Sequence, residues 1–312
     1  MEYSLEIKFR SMIDITAVVL TFNEEIHIER CLNNLIPFCK YIIIIDSYSN
    51  DRTIEIANKF DVIIYQNTWI NYARQFEWAM QNCPIETEWI MRVDADEYFT
   101  PGLINELQDI DKHISVDVNG LIMRRRTIFL GKWIRFGGTY PTYLLRIWRK
   151  GKARIEQRWM DEHVELLSGK TVVLKFDFID ENLKGIHSWI IKHNNYANRE
   201  LIDILAQKEK IIKLNSIIEN VFQDQASRRK WLKQKIYNNF PPVIRPILYF
   251  LYRYFILLGF LDGKEGFAWH FLQGLWYRSL IDLKYTEMKK SCGDDKTKII
   301  KYIKDKYDLK VD

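Results

Sequence analysis

Short apolar runs alternate with helix-spaced segments through the first hundred residues. Ile15–Leu20 is apolar and rich in β-branched residues, and predicts a strand buried on both faces. Glu24–Leu35 follows with apolar positions at Ile28, Leu32 and Leu35, the spacing of one helix face. The same alternation recurs. Strands are predicted at Tyr41–Ile45, Val62–Tyr65 and Trp89–Val93, and helices at Thr53–Phe60, with Asp51 or Ser49 placed to cap it, and at Asn71–Met80. Strand–helix alternation of this kind predicts an α/β domain with a mostly parallel sheet flanked by helices. Such sheets bind ligands beyond the carboxyl ends of their strands. From Asn119 the pattern changes to strand-like runs at Gly120–Met123, Tyr143–Trp148 and Thr171–Phe176, with Gly137–Pro141 reading as a loop. A long helix is predicted over Ile186–Glu219.

The fourth predicted strand carries the strongest chemical signal. Trp89-Ile90-Met91-Arg92-Val93 runs directly into Asp94-Ala95-Asp96-Glu97. Like charges this close repel, and desolvating them is costly. A divalent cation resolves both problems, because hard cations take carboxylate oxygens together with substrate phosphates. The alternative is a strand that ends in an exposed acidic turn.

Bulk composition narrows the class. A chain of 312 residues with 47 % hydrophobic content has the material for one large core, which argues against wholesale disorder. The net charge of +5 is too small to imply nucleic acid, and Arg124-Arg125-Arg126 lacks interleaved aromatics; this run is expected to face a phosphate-rich substrate or solvent. Cys31, Cys39, Cys83 and Cys292 form no C-x-x-C pair, as expected of reduced thiols in a cytosolic protein. The acid-bearing start Met1–Glu6 has no apolar signal core, and no run reaches the roughly 20 apolar residues of a membrane span. A G-x-G-x-x-G after the first strand is absent, as is a P-loop, which argues against dinucleotide oxidoreductases and P-loop enzymes.

Three segments together, Val18–Glu25 (VVLTFNEE), Ile45–Thr53 (IDSYSNDRT) and Val93–Glu97 (VDADE), resemble the family 2 glycosyltransferases of GT-A fold. The later segments Arg158–Val164 and Lys192–Glu200 resemble bacterial members that build surface polysaccharide or lipopolysaccharide. The resemblance implies that Asp46 accepts the uracil N–H of a UDP-sugar, as an acceptor-only side chain can. It also implies that Thr21, Asn23 and Glu24 line the same crevice at base or ribose, although Asn23 and Glu24 equally suit helix capping. Arg74 resembles the cation directed at the nucleotide, with a solvated helix face as its alternative. Asp96 would be the direct ligand of Mn²⁺ or Mg²⁺, with Asp94 on the ribose or on a metal-bound water. A further ligand would come from Asp180, His187 or His193. The base that deprotonates the acceptor hydroxyl would be Glu162, with Asp161 as the alternative. Trp159 could stack on a sugar ring or belong to the core.

The C-terminal part differs in character. No acidic residue lies between Asp224 and Asp262, while the same span holds Arg228, Arg229, Lys230, Lys233, Lys235, Arg245 and Arg253 beside the aromatic run Ile247–Leu258. Basic residues next to amphipathic aromatic helices suit an anionic membrane surface, at about 1 kcal/mol for each Lys or Arg near it. The alternative is a helical hairpin packed on the catalytic domain. The expectation is therefore a GT-A catalytic domain over 1–235 and a helical membrane-association region over 236–312. The protein would be cytoplasmic and peripheral on the inner face of the membrane, moving a hexose or N-acetylhexosamine from a UDP-sugar to a lipid-linked saccharide, with no nucleic-acid partner. The competing expectations are a nucleotidyl- or phosphosugar-transferase on a similar sheet and a non-catalytic assembly module.

Overall fold

The computed structural model describes residues 12–110, 114–156, 163–209, 240–242 and 244–307. They form two compact units. The first takes the chain to residue 126 together with 142–156 and 163–183; the second takes 127–141 and the chain from 184 onward. The division expected near residue 235 therefore falls about fifty residues earlier. The physical reason is the long helix Gly185–Glu209, whose Leu201, Ile202 and Leu205 bury against Met288, Ile299 and Ile303 in the C-terminal helices.

In the first unit the alternating pattern becomes β1 (Ile13–Thr21), α1 (Ile28–Leu35), β2 (Cys39–Asp46), α2 (Thr53–Ala57), β3 (Ile63–Gln66), α3 (Tyr72–Asn82) and β4 (Trp89–Asp94). β1 pairs in parallel with β2 and β4, and β2 with β3. The unbroken apolar run of β1 reflects burial on both faces. Ile15, Ala17 and Val19 join the core under α1, and Val18 and Leu20 join the core under α3.

The parallel character ends with these four strands. The sheet continues through β5 (Glu97–Phe99), β6 (Val118–Phe129), β8 (Thr142–Arg149) and β11 (Lys170–Glu181), in the order β3-β2-β1-β4-β8-β6-β11-β5. β8 is antiparallel to both β4 and β6, and β11 is antiparallel to β5. Thr100 starts the helix α4 (Pro101–Gln108) by accepting the Leu103 N–H. β7 (Lys132–Trp133) pairs with the end of β6, and β9 (Ala153–Ile155) with β10 (Val164–Leu166) form a hairpin.

The arginine run behaves differently from expectation. Arg124 and Arg126 both pair with the buried Asp177 of β11, at 3.0 and 2.8 Å, and Arg125 approaches Asp180 at 3.5 Å. Alternate residues of a strand share a face, so one β11 carboxylate meets two arginines. The run thus joins strand to strand.

The second unit contains α5 (Gly185–Glu209), α6 (Ile244–Leu251) with π-helical turns at Tyr252–Ile256, α7 (Gly263–Trp269), α8 (Tyr277–Cys292) and α9 (Lys296–Tyr307). All four cysteines are buried free thiols, and burial pushes the Cys83 thiol up to about 11.

Candidate active site

Strand register builds the site. Thr21 lies opposite Asp46, Asp46 opposite Gln66, and Leu20 opposite Asp94, so the carboxyl ends of four parallel strands end at one level. Asp46 is fully buried there, and four donors hold its carboxylate. Thr21 Oγ1 lies at 3.0 Å, Ser49 Oγ at 2.5 Å, the Ser49 backbone N–H at 2.8 Å and Gln66 Nε2 at 3.2 Å. This satisfies a buried charge that would otherwise be costly.

The loops after β1 and β2 are laced together. Asn23 N–H donates to Ser49 Oγ, and Asn23 Oδ1 accepts the Asn50 N–H. Glu24 N–H donates to Thr53 Oγ1, and Asp51 accepts the Glu25 and Thr53 N–H groups. Asp51 thus holds the Thr53 N–H at the start of α2, whose N-cap is Arg52, without a side-chain cap bond, and not the expected Asp51 or Ser49. The Glu24 carboxylate accepts from Nδ1 of the buried His27 at 2.6 Å, and His27 Nε2 accepts the Leu183 N–H at 2.8 Å. Since the amide can only donate, Nε2 is the acceptor and Nδ1 carries the proton. In this structure the Asn23 and Glu24 side chains brace the loops. Both Asn23 (φ 55°) and Tyr48 (φ 60°) take the left-handed conformation, which costs Tyr48 more than Asn23.

Helix α3 presents Tyr72 and Gln75, three residues apart and so on one face, toward this corner. Gln75 donates to Ser47 Oγ and to the Asn67 carbonyl. Arg74 lies off that face, 59 % exposed, and among the described residues its side chain reaches Glu77 at 3.4 Å. The solvated-face alternative describes it. Arg74→Ala is accordingly expected to change donor affinity by less than about threefold, since exposed pairs contribute about 0–1 kcal/mol. Titration calorimetry with UDP checks this.

At the end of β4 the crowding of carboxylates is already answered within the chain. Tyr72 Oη donates to Asp94 Oδ1 at 2.6 Å and accepts from Arg92 Nε at 2.7 Å, with the Arg92 guanidinium 3.8 Å from the Tyr72 ring centre. Arg146, from β8, lies 2.5 Å from Glu97 Oε1 and 3.4 Å from Asp94 Oδ2. Glu97 Oε2 accepts the Asp94 N–H at 3.0 Å. Burial pushes the Glu97 carboxyl up to about 8 against the pull of Arg146. Burial opposes the charge of Arg146, but the Glu97 and Asp94 carboxylates more than offset it and hold the guanidinium above its ordinary value. Tyr72, Arg92, Glu97 and Arg146 were not among the sequence-derived candidates. Arg92 and Arg146 do leave a signal, each being a cation flanked by apolar residues within a strand.

Asp96 differs from Asp94. Its Oδ2 accepts from Asn182 Nδ2 at 2.9 Å, while Oδ1 has no partner among the described residues. Its carbonyl accepts from Arg30 Nη2, which also reaches the Glu181 carbonyl. Asp180 lies opposite Glu97 in the β5–β11 register, which brings this candidate ligand to the same corner. His193 belongs to the second unit, where Nδ1 donates to the Trp189 carbonyl, Nε2 faces Gln273 and the ring stacks on Trp189 at 3.5 Å; both its nitrogens are in use. Burial pushes its pKa down to about 4. His187 is exposed in the same unit. Among the described residues no three His, Cys, Asp or Glu side chains converge. The protein groups therefore fit a cation that is completed by phosphate and water, a common arrangement for Mg²⁺. Glu162, Asp161 and Trp159 lie outside the described residues.

Comparison with known proteins agrees with this geometry. Residues 16–183 match glycosyl transferase family 2. An uncharacterized glycosyltransferase of Rickettsia bellii is 31 % identical over 117 residues, 36 % of this chain and 39 % of that protein. The prophage-derived glycosyltransferase SunS of Bacillus subtilis is 33 % identical over 113 residues, 33 % of this chain and 25 % of that protein. The match thus spans well under half the length of these relatives. Among solved structures, a mannosyltransferase of Pyrobaculum calidifontis in complex with GDP-Man and Mn²⁺ superposes with a TM-score of 0.50 at 11 % identity, covering 89 % of this chain and 88 % of that one. The fold is the expected GT-A α/β fold with C-terminal helices, and the family match covers more than half of the chain. The chain is a member of glycosyl transferase family 2.

Proposed function

We propose that this glycosyltransferase moves a hexose or N-acetylhexosamine from a UDP-sugar, with inversion, to a lipid-linked saccharide used in a bacterial surface glycan. The observation that carries the reading is the unequal state of the two motif aspartates. Both oxygens of Asp94 face chain donors, whereas Asp96 keeps one oxygen without a partner among the described residues. Asp96 would hold Mn²⁺ or Mg²⁺, which supplies charge neutralisation for the departing diphosphate. Asp94, held by Tyr72 and Arg146, would serve the ribose or a metal-bound water.

Uridine would enter beside the Asp46 row. For Asp46 to accept the uracil N–H, one of its four donors has to give way, and Gln66, at 3.2 Å, is the most distant. Thr21, Asn23 and Glu24 keep the crevice in shape through the bonds described above. Glu162, or Asp161, would take the proton of the acceptor hydroxyl as its oxygen bonds to the anomeric carbon. The bond from that carbon to the diphosphate breaks with its electron pair, and UDP leaves. The reaction would take place on the cytoplasmic face of the membrane, where the protein is held peripherally.

A panel of UDP-sugars, incubated with the protein, Mn²⁺ and extracted bacterial lipids, tests this. Release of UDP together with a glycosylated lipid is expected. Release of pyrophosphate from a nucleoside triphosphate would instead mark a nucleotidyltransferase, and turnover of GDP-sugars alone would overturn the uridine assignment.

A further inference from the structure

The segment Ile244–Ile256 is arranged inside out. Ile244, Ile247, Leu248, Leu251, Phe255 and Ile256 recur at the spacing of one helix face, and that face is exposed, with Ile256 70 % accessible. The cations of the same segment turn inward. Arg245 is buried against Asp282, with Nε 2.8 Å from Oδ2. Arg253 donates to the Gly137 carbonyl at 2.6 Å and to Thr139 Oγ1 at 2.8 Å. These two arginines, counted from sequence toward a basic surface, are thus engaged within the second unit. A helix packed on a water-soluble core shows the reverse order, with apolar residues in and charges out.

The apolar face continues through exposed Phe260 and Leu261 in the turn, and the axis bends by 72° before Gly259–Cys292. Among the described residues no single helix is long and apolar enough to cross a membrane. At about 1.5 Å per residue the first arm is about 20 Å long, shorter than the roughly 30 Å hydrocarbon core. The occupant of this face is indicated by charge. Arg228, Arg229, Lys230, Lys233 and Lys235 precede the arm in sequence, and no acid occurs between Asp224 and Asp262. An apolar face preceded by cations and free of acids complements an anionic bilayer, whose headgroups are negative and whose interior is apolar.

We propose that the outward face of Ile244–Ile256, with the turn that follows, is a bilayer-insertion surface that seats among the headgroups and upper acyl chains of an anionic membrane. This deepens the peripheral-membrane part of the proposed function and rests on no part of the donor assignment. Apolar insertion, rather than basic residues alone, makes the attachment resistant to salt.

The test is flotation of the full chain with vesicles of phosphatidylglycerol and phosphatidylethanolamine, at low and high salt, beside a Phe255→Asp/Ile256→Asp double variant. Both positions are exposed, so the variant keeps its fold, and an unchanged circular-dichroism spectrum and thermal unfolding midpoint verify that. The wild type is expected to float at both salt levels, and the double variant to lose at least about tenfold in partition. A wild type that stays in the supernatant, or floats only at low salt, overturns the proposal. So does a double variant that floats as well as the wild type. A wild-type dimer that the double variant converts to monomer, with neither binding vesicles, assigns the face to a second copy instead. Flotation without any UDP binding would leave this surface standing and remove the donor assignment.

Discussion

Glu162→Gln is expected to lower kcat by about 10²–10⁴-fold while leaving UDP affinity within about twofold. The amide keeps the size and much of the hydrogen bonding of the carboxylate but cannot take a proton from the acceptor hydroxyl. Because the donor is held by other residues, the loss should fall on kcat and not on binding. Asp161→Asn serves as the internal comparison. If Asp161 were the base, the large loss would move to that variant and Glu162→Gln would be nearly silent. Measuring UDP release and UDP binding side by side for both variants separates the two. Absence of UDP release from the wild type and both variants alike would point to a non-catalytic assembly module.

The second large effect concerns Arg146. Measured above the Glu97 pKa of about 8, where that carboxyl is ionised beside its guanidinium, Arg146→Met is expected to destabilise the protein by about 3–5 kcal/mol, because it leaves the buried Glu97 and the neighbouring Asp94 without their shared counter-charge. Adding Glu97→Gln removes the stranded charge, and the double variant should recover a large part of that loss. Urea unfolding of the two single variants and the double variant gives the coupling. If Arg146→Met cost no more than a surface substitution, the guanidinium would have no part in holding the Asp94 loop.

Much of the first unit was legible in the chain. β1 and β2 are apolar at consecutive positions because both faces are covered, and the polar residues at their ends, Thr21 and Asp46, form one row with Gln66 of β3. Local patterning could not reveal what relieves the aspartates. Arg146 lies 52 residues from Asp94 in sequence, and β4 meets β8 through an antiparallel pairing that no periodicity encodes. The acidic cluster therefore suggested a metal as the remedy for repulsion, whereas the fold supplies Arg146 and Tyr72 for Asp94 and leaves one oxygen of Asp96 without a partner among the described residues.

The same limit explains the other departures. Arg124–Arg126 looked free because Asp177 and Asp180 lie some fifty residues further on. Arg245 and Arg253 looked like surface charge because their partners are Asp282, Gly137 and Thr139. The exposed apolar stripe between them could be read from spacing, but which way it faced could not. Asn71 and Thr100, by contrast, cap α3 and α4 through bonds within three residues, a range at which sequence is informative.

The central claim is that Asp96 holds a divalent cation against a uridine diphosphate sugar. The most direct test is calorimetric binding of UDP-sugars with and without Mn²⁺, on the wild type and on Asp96→Asn. The account predicts tight binding of one UDP-sugar that requires Mn²⁺ and falls at least about tenfold in Asp96→Asn, as loss of a metal-supporting residue does. Binding of equal strength without metal, or undiminished in Asp96→Asn, would contradict it.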